Sequence, residues 1–288
     1  MGKNKRKIFD MCELICGTYF KHQCRTRISD YVDERTPIFN YKESQEGYEN
    51  YVFCKPEFLQ LLHDSKLLKD GPFILVTHNS DINFTEEYVE AVLEFFPEID
   101  HWYTQNLLWE HPKVSPIPIG IANPKWSHGN QDRFKKIMEE GNEKDNLYYA
   151  NFNISTNPPE RVNCYKQLCI EPSIDYPNAA SIEDHDKFVN ETQEDYLRNI
   201  SKSFFAVSPD GNGKDCHKTW EALYMKSIPI IKRWHGAERF KKLGIPMLII
   251  DDWSEFKGLE LNEEVYNEVW GDFDASTLDG ATFFNESD

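Results

Sequence analysis

The chain has 288 residues, enough for two domains of ordinary size, and its hydrophobic content of 40% with 14% aromatic residues is that of a globular protein. The formal net charge of −17 argues against nucleic acid or an anionic membrane surface as a partner. No apolar run reaches the roughly 18–20 residues that a membrane span needs, so we expect no span.

The cysteines and the N-terminal stretch predict a cytoplasmic protein. Seven cysteines are scattered along the chain without a Cys-x-x-Cys pair, which disfavours zinc and favours reduced thiols. Asp10 and Glu13 interrupt residues 8–19, so this stretch is not the apolar core of a signal peptide. The basic residues at 3–7 are typical of a solvated terminus.

The first half of the chain alternates predicted helices and strands. In order, these are a helix at 8–21, a helix at 58–68, a strand at 73–77, a helix at 86–96, and strands at 99–104 and 117–121. The apolar strand at 73–77 ends in the polar sequence His78-Asn79-Ser80-Asp81. Because ligands of α/β folds bind at the carboxyl ends of parallel strands, this loop is a candidate site.

The second half repeats the alternation, which predicts an α/β fold with two parallel sheets. Its predicted elements are a helix within 131–146, a strand at 146–152, a helix from Arg161, a helix at 196–203, and strands at 204–208, 228–231 and 247–250. The charged stretch 131–146 also has the character of a connection between domains. Asn157-Pro158-Pro159 forces an extended turn, which places Arg161 in the first turn of its helix.

The loop after the strand at 204–208 has the layout of a phosphate site. Ser208 opens it, and Gly211 and Gly213 flank Asn212, a combination that favours a tight turn with positive φ. A glycine turn that leads directly into a helix presents free N–H groups and the positive end of the helix dipole, and both attract phosphate.

The helix that follows adds charged groups suited to a nucleotide. His217 and Lys218 in its first turn are unfavourable beside a bare helix N-terminus but favourable beside an anion. Glu221, one turn further on, is able to accept hydrogen bonds from both hydroxyls of a ribose. Phosphate at the loop and ribose at the glutamate together predict a nucleotide site.

The same segment resembles the C-terminal signature of exostosin-type glycosyltransferases, roughly S-P-x-G-N-G-x-D-x-H-R-x-W-E-A-L followed by x-S-I-P-I-V. The matching residues are Ser208, Pro209, Gly211, Asn212, Gly213, Asp215, His217, Trp220, Glu221, Ala222, Leu223, Ser227 and Pro229. Lys218 replaces the usual arginine and loses its bidentate fork, and Asp210 stands where many members have arginine. The resemblance is strong over residues 148–253 and weaker over residues 73–123. Within the family, the chain resembles the soluble stand-alone members of microbes and large algal viruses.

The resemblance implies the GT-B architecture, in which two Rossmann-like doubly wound domains face a cleft. It implies an acceptor-binding domain at 1–145, a nucleotide-sugar-binding domain at 146–255, and a segment at 256–288 that packs back on the first domain. The implied activity is an inverting, metal-independent transfer of a sugar from a UDP-sugar to a hydroxyl of an oligosaccharide or glycoprotein glycan. Xylose is the best guess, because the donor loop is compact. For a viral chain the compartment is the host cytoplasm.

The implied donor site contains residues from two loops and two helix starts. They are Arg161, Ser208, Gly211, Asn212, Gly213, His217, Lys218 and Glu221. Exostosin-like soluble enzymes carry an N-P-x-R element similar to the one that ends at Arg161, and we expect this arginine to hold the diphosphate beside Lys218.

An inverting transfer also needs a base that removes the proton of the acceptor hydroxyl. Asp81, in the loop after the strand at 73–77, is the first candidate, and His78 is the second. Sugars stack on aromatic rings and pair with amides. The expected acceptor-binding residues are therefore Trp102, Gln105, Asn106 and Trp109, with Trp126 as a further candidate.

Two further predictions concern metals and activity. Asp184-His185-Asp186 and Asp272-Phe273-Asp274 have the D-x-D form of metal-binding transferases but lie in acidic, solvated stretches, so no metal cofactor is expected. The alternative function is a catalytically inactive nucleotide- or glycan-binding partner of another glycosyltransferase, which the departures at Asp210 and Lys218 support. A P-loop phosphotransferase is disfavoured, because the sequence lacks G-x-x-x-x-G-K-[ST].

Overall fold

The computed structural model describes residues 13–30, 37–41, 48–65, 68, 71–168, 191–275 and 278–284. They form a mixed α/β protein with two sheets built mainly of parallel strands, which confirms the predicted class. The described residues divide into two compact units. Unit 1 contains those up to residue 124 together with 278–284, and unit 2 contains those of 125–275.

Unit 1 is built on a six-stranded sheet. Its elements are α1 (Gly17–Gln23), β1 (Thr26–Asp30), β2 (Pro37–Tyr41), β3 (Tyr51–Cys54), α2 (Leu59–Asp64), β4 (Phe73–Thr77), α3 (Glu86–Phe95), β5 (Ile99–Thr104) and β6 (Val114–Pro116). The strand order is β2-β1-β3-β4-β5-β6; β1 and β2 are antiparallel and the other neighbours are parallel. The carboxyl ends of β3, β4 and β5 therefore lie at one edge of the sheet.

Three elements of unit 1 differ from their predicted bounds by more than one residue, and the helix predicted at 58–68 is the shorter α2, which ends at Asp64. Helix α1 begins at Gly17, and the part of its predicted range before residue 13 lies outside the described residues. The strand predicted at 117–121 is wrong, because β6 ends at Pro116. The N–H of Ile117 donates to the carbonyl of Thr104 at 2.9 Å, and Pro118 has no N–H with which to continue the pairing.

The last described residues of the chain, 278–284, pack within unit 1. The hydroxyl of Tyr103 donates to the carbonyl of Phe284 at 2.7 Å, and the ring of Phe284 lies 5.4 Å from the rings of Phe20 and Tyr51. Residues 256–275 belong instead to unit 2. The segment predicted at 256–288 is thus divided between the two units.

Unit 2 is built on a four-stranded parallel sheet with the order β10-β9-β8-β7. Its elements are α4 (Gln131–Glu140), β7 (Asn146–Tyr149), α5 (Pro158–Leu168), α6 (Gln193–Ser201), β8 (Ser203–Val207), α7 (His217–Tyr224), β9 (Ile228–Lys232), α8 (His235–Lys242), β10 (Leu248–Ile250) and α9 (Glu263–Trp270). The order is sequential, which is the order of one half of a doubly wound sheet. None of the helices in the described ranges has the length and apolar character that a membrane crossing requires.

The boundary between the units lies at residue 124, not at the predicted 145. Helix α4 belongs to unit 2, in which ion pairs join it to α6. Lys136 Nζ lies 2.6 Å from Glu194 Oε2, and Arg198 Nε lies 2.7 Å from Glu140 Oε2. The charged character of residues 131–140 therefore reflects a helix that faces another charged helix, with Phe134 and Ile137 buried on its inner side.

Candidate functional site

The loops at the carboxyl ends of β7, β8 and β9 meet at one edge of the unit 2 sheet, where ligands of parallel sheets bind. The loop at 208–216, between β8 and α7, is held at its first residue. The N–H of Ser208 donates to the carbonyl of Ile230 at 2.9 Å, and Ser208 Oγ and Thr219 Oγ1 share a hydrogen bond of 3.0 Å. Ser208 thus fixes the loop to β9 and to α7 and has no exposed hydroxyl for a ligand.

The backbone conformation of the glycine turn differs from the predicted one. The predicted positive φ is wrong, because neither Gly211 nor Gly213 adopts it. The N–H of Gly211 donates to the carbonyl of Gly213 at 3.1 Å, and Asn157 Nδ2 donates to the carbonyl of Gly211 at 2.8 Å. An added Cβ at position 211 would lie 3.3 Å from Arg161 Nη2 and 3.4 Å from Cys216 Sγ, so glycine here lets the guanidinium lie close to the turn.

Arg161 lies against this turn, in the first turns of α5. Its Nε donates to the carbonyl of Asp210 at 3.0 Å and its Nη1 to the carbonyl of Asn153 at 2.7 Å, and the guanidinium lies 6.0 Å from the centroid of the Phe152 ring. Nη2 makes no hydrogen bond to any described residue. The guanidinium is therefore held in place with one nitrogen left to bind an anion beside Gly211.

Lys218, in the first turn of α7, has a buried ammonium group that finds no hydrogen-bond partner among the described residues. Three aromatic rings surround it: the distances from Nζ to the ring centroids are 5.2 Å for Tyr196 and 5.7 Å for both Tyr149 and Phe152. Burial lowers the pKa of this lysine to about 8, although Glu221 acts in the opposite direction. Cation–π contacts alone do not replace the hydrogen bonds that an ammonium group loses on burial.

Glu221 lies one turn further along α7 and is 7% exposed. Its Oε2 accepts a hydrogen bond of 2.6 Å from the hydroxyl of Tyr196, and the pKa of this tyrosine is raised well above its usual value by burial and by the carboxylate. Oε1 has no hydrogen-bond partner within the described ranges. One carboxylate oxygen is thus fixed and the other is available to a ligand hydroxyl.

The ring cage around Lys218 is held by Glu191, which the sequence did not single out. Its carboxylate accepts hydrogen bonds from Asn151 Nδ2 at 2.9 Å, from the hydroxyl of Tyr149 and from Asn199 Nδ2. Burial and this carboxylate raise the pKa of Tyr149. The phenol therefore stays protonated and its ring is oriented toward the ammonium of Lys218.

Asp210, which stands where many family members have arginine, has nearby cations that the sequence did not indicate. Asp210 is buried, which raises its pKa, and its Oδ2 pairs with Lys214 Nζ at 2.5 Å. Lys232, the last residue of β9, pairs with Glu160 Oε2 at 3.1 Å, and Glu160 Oε1 accepts a hydrogen bond from Trp253. The negative charge at Asp210 is therefore neutralised locally by Lys214.

Two further residues of the predicted donor site lie at its edge. Asn212 is the exposed residue of the glycine turn, and His217 is the half-buried first residue of α7. Unit 2 thus brings the predicted Arg161, Gly211, Lys218 and Glu221 together with the three rings of the cage. These rings come from β7, the following loop and α6, and no spacing in the sequence connects them.

The predicted base candidates lie in the loop after β4 in unit 1. Asp81 is exposed. His78 is buried, its Nδ1 accepts from the N–H of Asn79 at 2.7 Å, and its Nε2 donates to the carbonyl of Pro118 at 3.0 Å. Because both ring nitrogens are engaged, His78 is placed to fix the loop, and Asp81 is the better placed candidate to receive a proton.

Three of the predicted acceptor residues are buried inside unit 1, which corrects that prediction. Trp102 is fully buried and its Nε1 donates to Thr77 Oγ1 at 2.8 Å. Gln105 is also fully buried and accepts from the N–H of Asn79 at 3.0 Å, and Asn106 is 1% exposed. These side chains support the sheet and the loop after β4, where a sugar cannot reach them. Trp109 is half-buried against the core of unit 1.

Within the described ranges, no three His, Cys, Asp or Glu side chains lie close enough to hold a metal ion. Asp272 and Asp274 are exposed, and Asp184 and Asp186 lie outside the described residues. Asp252 caps the short helical turn at Trp253–Gly258. Comparison with protein-family models found no match, and no curated protein matches the chain. The exostosin-like resemblance therefore stays a prediction from residues 148–253.

Proposed function

We propose that this chain is an inverting, metal-independent glycosyltransferase of the exostosin-like, GT-B type that uses a UDP-sugar, with xylose as the first donor to test. The observation that carries the proposal is the buried ammonium of Lys218, which lies beside the glycine turn without a hydrogen-bond partner among the described residues. A bound anion gives this group the partner that the ligand-free site lacks.

The arrangement of groups around Lys218 favours a nucleoside diphosphate over a simple anion. Arg161 Nη2 at the glycine turn and Lys218 Nζ offer two cationic contacts, which suit the two phosphates of a diphosphate. Oε1 of Glu221, one helical turn from Lys218, offers the acceptor that a ribose hydroxyl needs. A phosphate or sulfate ion would contact the two cations, but it has no hydroxyl group to donate to Oε1 of Glu221.

The reaction that fits this site is displacement at the anomeric carbon of the donor. The acceptor hydroxyl oxygen forms the new glycosidic bond, its proton passes to a carboxylate base, and the bond from the anomeric carbon to the diphosphate breaks on the opposite face. Charge builds up on the leaving diphosphate, and Arg161 and Lys218 stabilise it without a metal ion. Asp81 is the proposed base, and the acceptor is an oligosaccharide or glycoprotein glycan.

The second candidate function is a nucleotide- or glycan-binding partner of another glycosyltransferase that has lost catalysis. Lysine at position 218 and aspartate at position 210 favour it. The local ion pair between Asp210 and Lys214 weakens this argument, because it removes the negative charge that the aspartate would present to a diphosphate. Turnover separates the two functions, since a binding partner holds UDP without hydrolysing or transferring a donor sugar.

Calorimetry with UDP, GDP, CDP and a panel of UDP-sugars, in EDTA, tests the proposal. We expect selective binding of UDP and of one UDP-sugar, followed by transfer of that sugar to a glycan. Binding without hydrolysis or transfer would support the inactive partner. Failure of every nucleotide and of pyrophosphate to bind would contradict the transferase and the reading of the glycine turn as a phosphate site, and would favour a glycan-binding partner without catalysis.

Glu221→Gln is expected to weaken UDP binding about tenfold, because one charge-assisted hydrogen bond to ribose contributes on the order of 1–3 kcal/mol. Glutamine keeps an oxygen for the hydroxyl of Tyr196, so the fold is preserved. Affinity for 2′-deoxy-UDP should fall less than affinity for UDP, and affinity for pyrophosphate should not change. Glu264→Gln, at the exposed start of α9, is the control. An equal loss for pyrophosphate would place Glu221 outside the ribose site.

Affinity for UDP is expected to fall as the pH rises above about 8, the pKa of Lys218 in the ligand-free protein. A bound diphosphate favours the charged lysine, so binding above this pH takes up a proton, and affinity should fall about tenfold per pH unit. Calorimetry at pH 9 in buffers of different ionisation enthalpy measures the uptake. Lys218→Arg stays charged and should bind without it. A pH-independent affinity of the wild type from pH 7 to 10 would contradict contact between Lys218 and the diphosphate.

A further inference from the structure

The turn that precedes α4 carries an exposed aromatic platform, Trp126 and His128, within unit 2. Trp126 is 43% exposed, which makes it one of two large hydrophobic side chains exposed in the described part of the chain. Its ring lies 13° from parallel to the imidazole of His128, with the centroids 6.5 Å apart. Two rings with nearly the same orientation offer flat faces to a planar ligand.

The platform is anchored to the helix that contacts Glu221. The carbonyl of His128 accepts a hydrogen bond from Gln193 Nε2, and Arg133 Nη1 donates to Gln193 Oε1 at 2.7 Å and to the carbonyl of Ser127 at 3.2 Å. Gln193 begins α6, and one turn further along that helix Tyr196 donates to Glu221. The turn at Ser127–Gly129 is therefore tied to the end of the site that holds the proposed ribose carboxylate.

The electrostatic environment of His128 also indicates that it lies near Glu221. Partial burial and His217 lower the pKa of His128, and Glu221 acts in the opposite direction, so the imidazole lies within electrostatic range of both residues of α7. Lys125 Nζ lies 4.9 Å from the centroid of the Trp126 ring.

We propose that Trp126 and His128 bind the nucleobase of the donor by stacking. This inference rests on the proposed function. A nucleotide whose diphosphate lies at Lys218 and whose ribose lies at Glu221 carries its base on the side of the ribose away from the phosphates. The platform is the exposed aromatic surface that α6 ties to Glu221, through Gln193 and Tyr196. Base stacking on an exposed aromatic ring accepts any planar base, so selectivity among UDP, CDP and GDP comes from other groups.

The test uses the full chain and four probes: UDP, the UDP-sugar that the wild type binds, uridine and pyrophosphate, each measured by calorimetry. Trp126→Ala is expected to weaken UDP and uridine about tenfold, as stacking on one aromatic ring does, and to leave pyrophosphate unchanged. Trp126→Tyr should restore most of the affinity. Phe95→Ala, which removes the other exposed large hydrophobic side chain, is the matched control and should bind all probes normally.

The outcomes separate this inference from the proposed function. Unchanged UDP affinity in Trp126→Ala, or an equal loss for pyrophosphate, would overturn base stacking while leaving a diphosphate site in place. A loss confined to UDP-sugars would assign the platform to the sugar ring and would also overturn it. If the wild type binds neither UDP nor pyrophosphate, the proposed function is contradicted, and base stacking on Trp126 and His128 is contradicted with it. UDP is also expected to quench the tryptophan fluorescence of the wild type. Loss of this quenching in Trp126→Ala would support stacking on Trp126 directly.

Discussion

Lys218→Met is expected to stabilise the ligand-free protein while removing most of its affinity for nucleoside diphosphates. The ammonium of Lys218 is buried without a hydrogen-bond partner among the described residues, and its pKa of about 8 lies well below the ordinary value of a lysine. At about 1.4 kcal/mol per pKa unit, burial of the charge costs roughly 3 kcal/mol at neutral pH. Methionine fills the same space without a charge and packs well against the three rings of the cage.

The pH dependence of this gain has a definite sign. The folded-state pKa of Lys218 is lowered, so below about pH 8 the lysine is charged in both the folded and unfolded states and the full cost is present. Between about pH 8 and the ordinary lysine value the unfolded chain binds more protons, so the stability of the wild type rises with pH. Chemical denaturation should therefore show the largest advantage of the variant at neutral pH, decreasing toward pH 10.

Binding measurements on the same variant complete the test. Loss of a charged contact to the diphosphate should weaken UDP on the order of 100-fold at pH 7. The matched control is Lys242→Met, because Lys242 is exposed at the last residue of α8 and belongs to no part of the candidate site. A variant that is both less stable and unimpaired in UDP binding would show that Lys218 supports the fold and has no role in the site.

Strands β4, β5, β8, β9 and β10 were predictable because each is a short apolar run bounded by polar or turn-forming residues, whereas β1, β2 and β3 were not predicted. The strands predicted at 73–77 and 204–208 are present, the second displaced by one residue to Ser203–Val207. The unit boundary was not predictable to the same degree. Residues 131–140 have the composition of a linker, and only the structure shows that they belong to unit 2, through two buried apolar residues and through ion pairs with α6, 58 residues away in sequence.

The candidate donor site was predictable where its residues form a local pattern, as in the glycine turn and in the Asn157-Pro158-Pro159 turn before Arg161, and not elsewhere. The glycine turn, Lys218 and Glu221 lie within a dozen residues, so the local pattern was sufficient. Tyr149 and Tyr196 come from separate elements, and aromatic residues at such distances give no spacing signal. Trp102 was misassigned to the acceptor groove because a tryptophan in a strand has no pattern that distinguishes a core position from an exposed one.

Asp81→Asn is expected to abolish sugar transfer while leaving UDP affinity near that of the wild type. Removal of a general base slows a reaction by about 10²–10⁴-fold, and asparagine keeps the size and polarity of the side chain. Asp81 is exposed at the carboxyl end of β4, so the substitution leaves the core of unit 1 intact. Transfer should be measured with the donor identified by calorimetry, and the UDP-sugar should still be bound by the variant.

Two controls decide what a loss of transfer means. Asp100→Asn changes another exposed aspartate of unit 1, at the start of β5, and should transfer at the wild-type rate. His78→Gln removes a buried side chain whose two ring nitrogens are engaged, and is expected to lower thermal stability together with activity. If Asp81→Asn transfers sugar normally and His78→Gln is stable but inactive, the base is His78, because only loss of the proton acceptor separates activity from stability in this way.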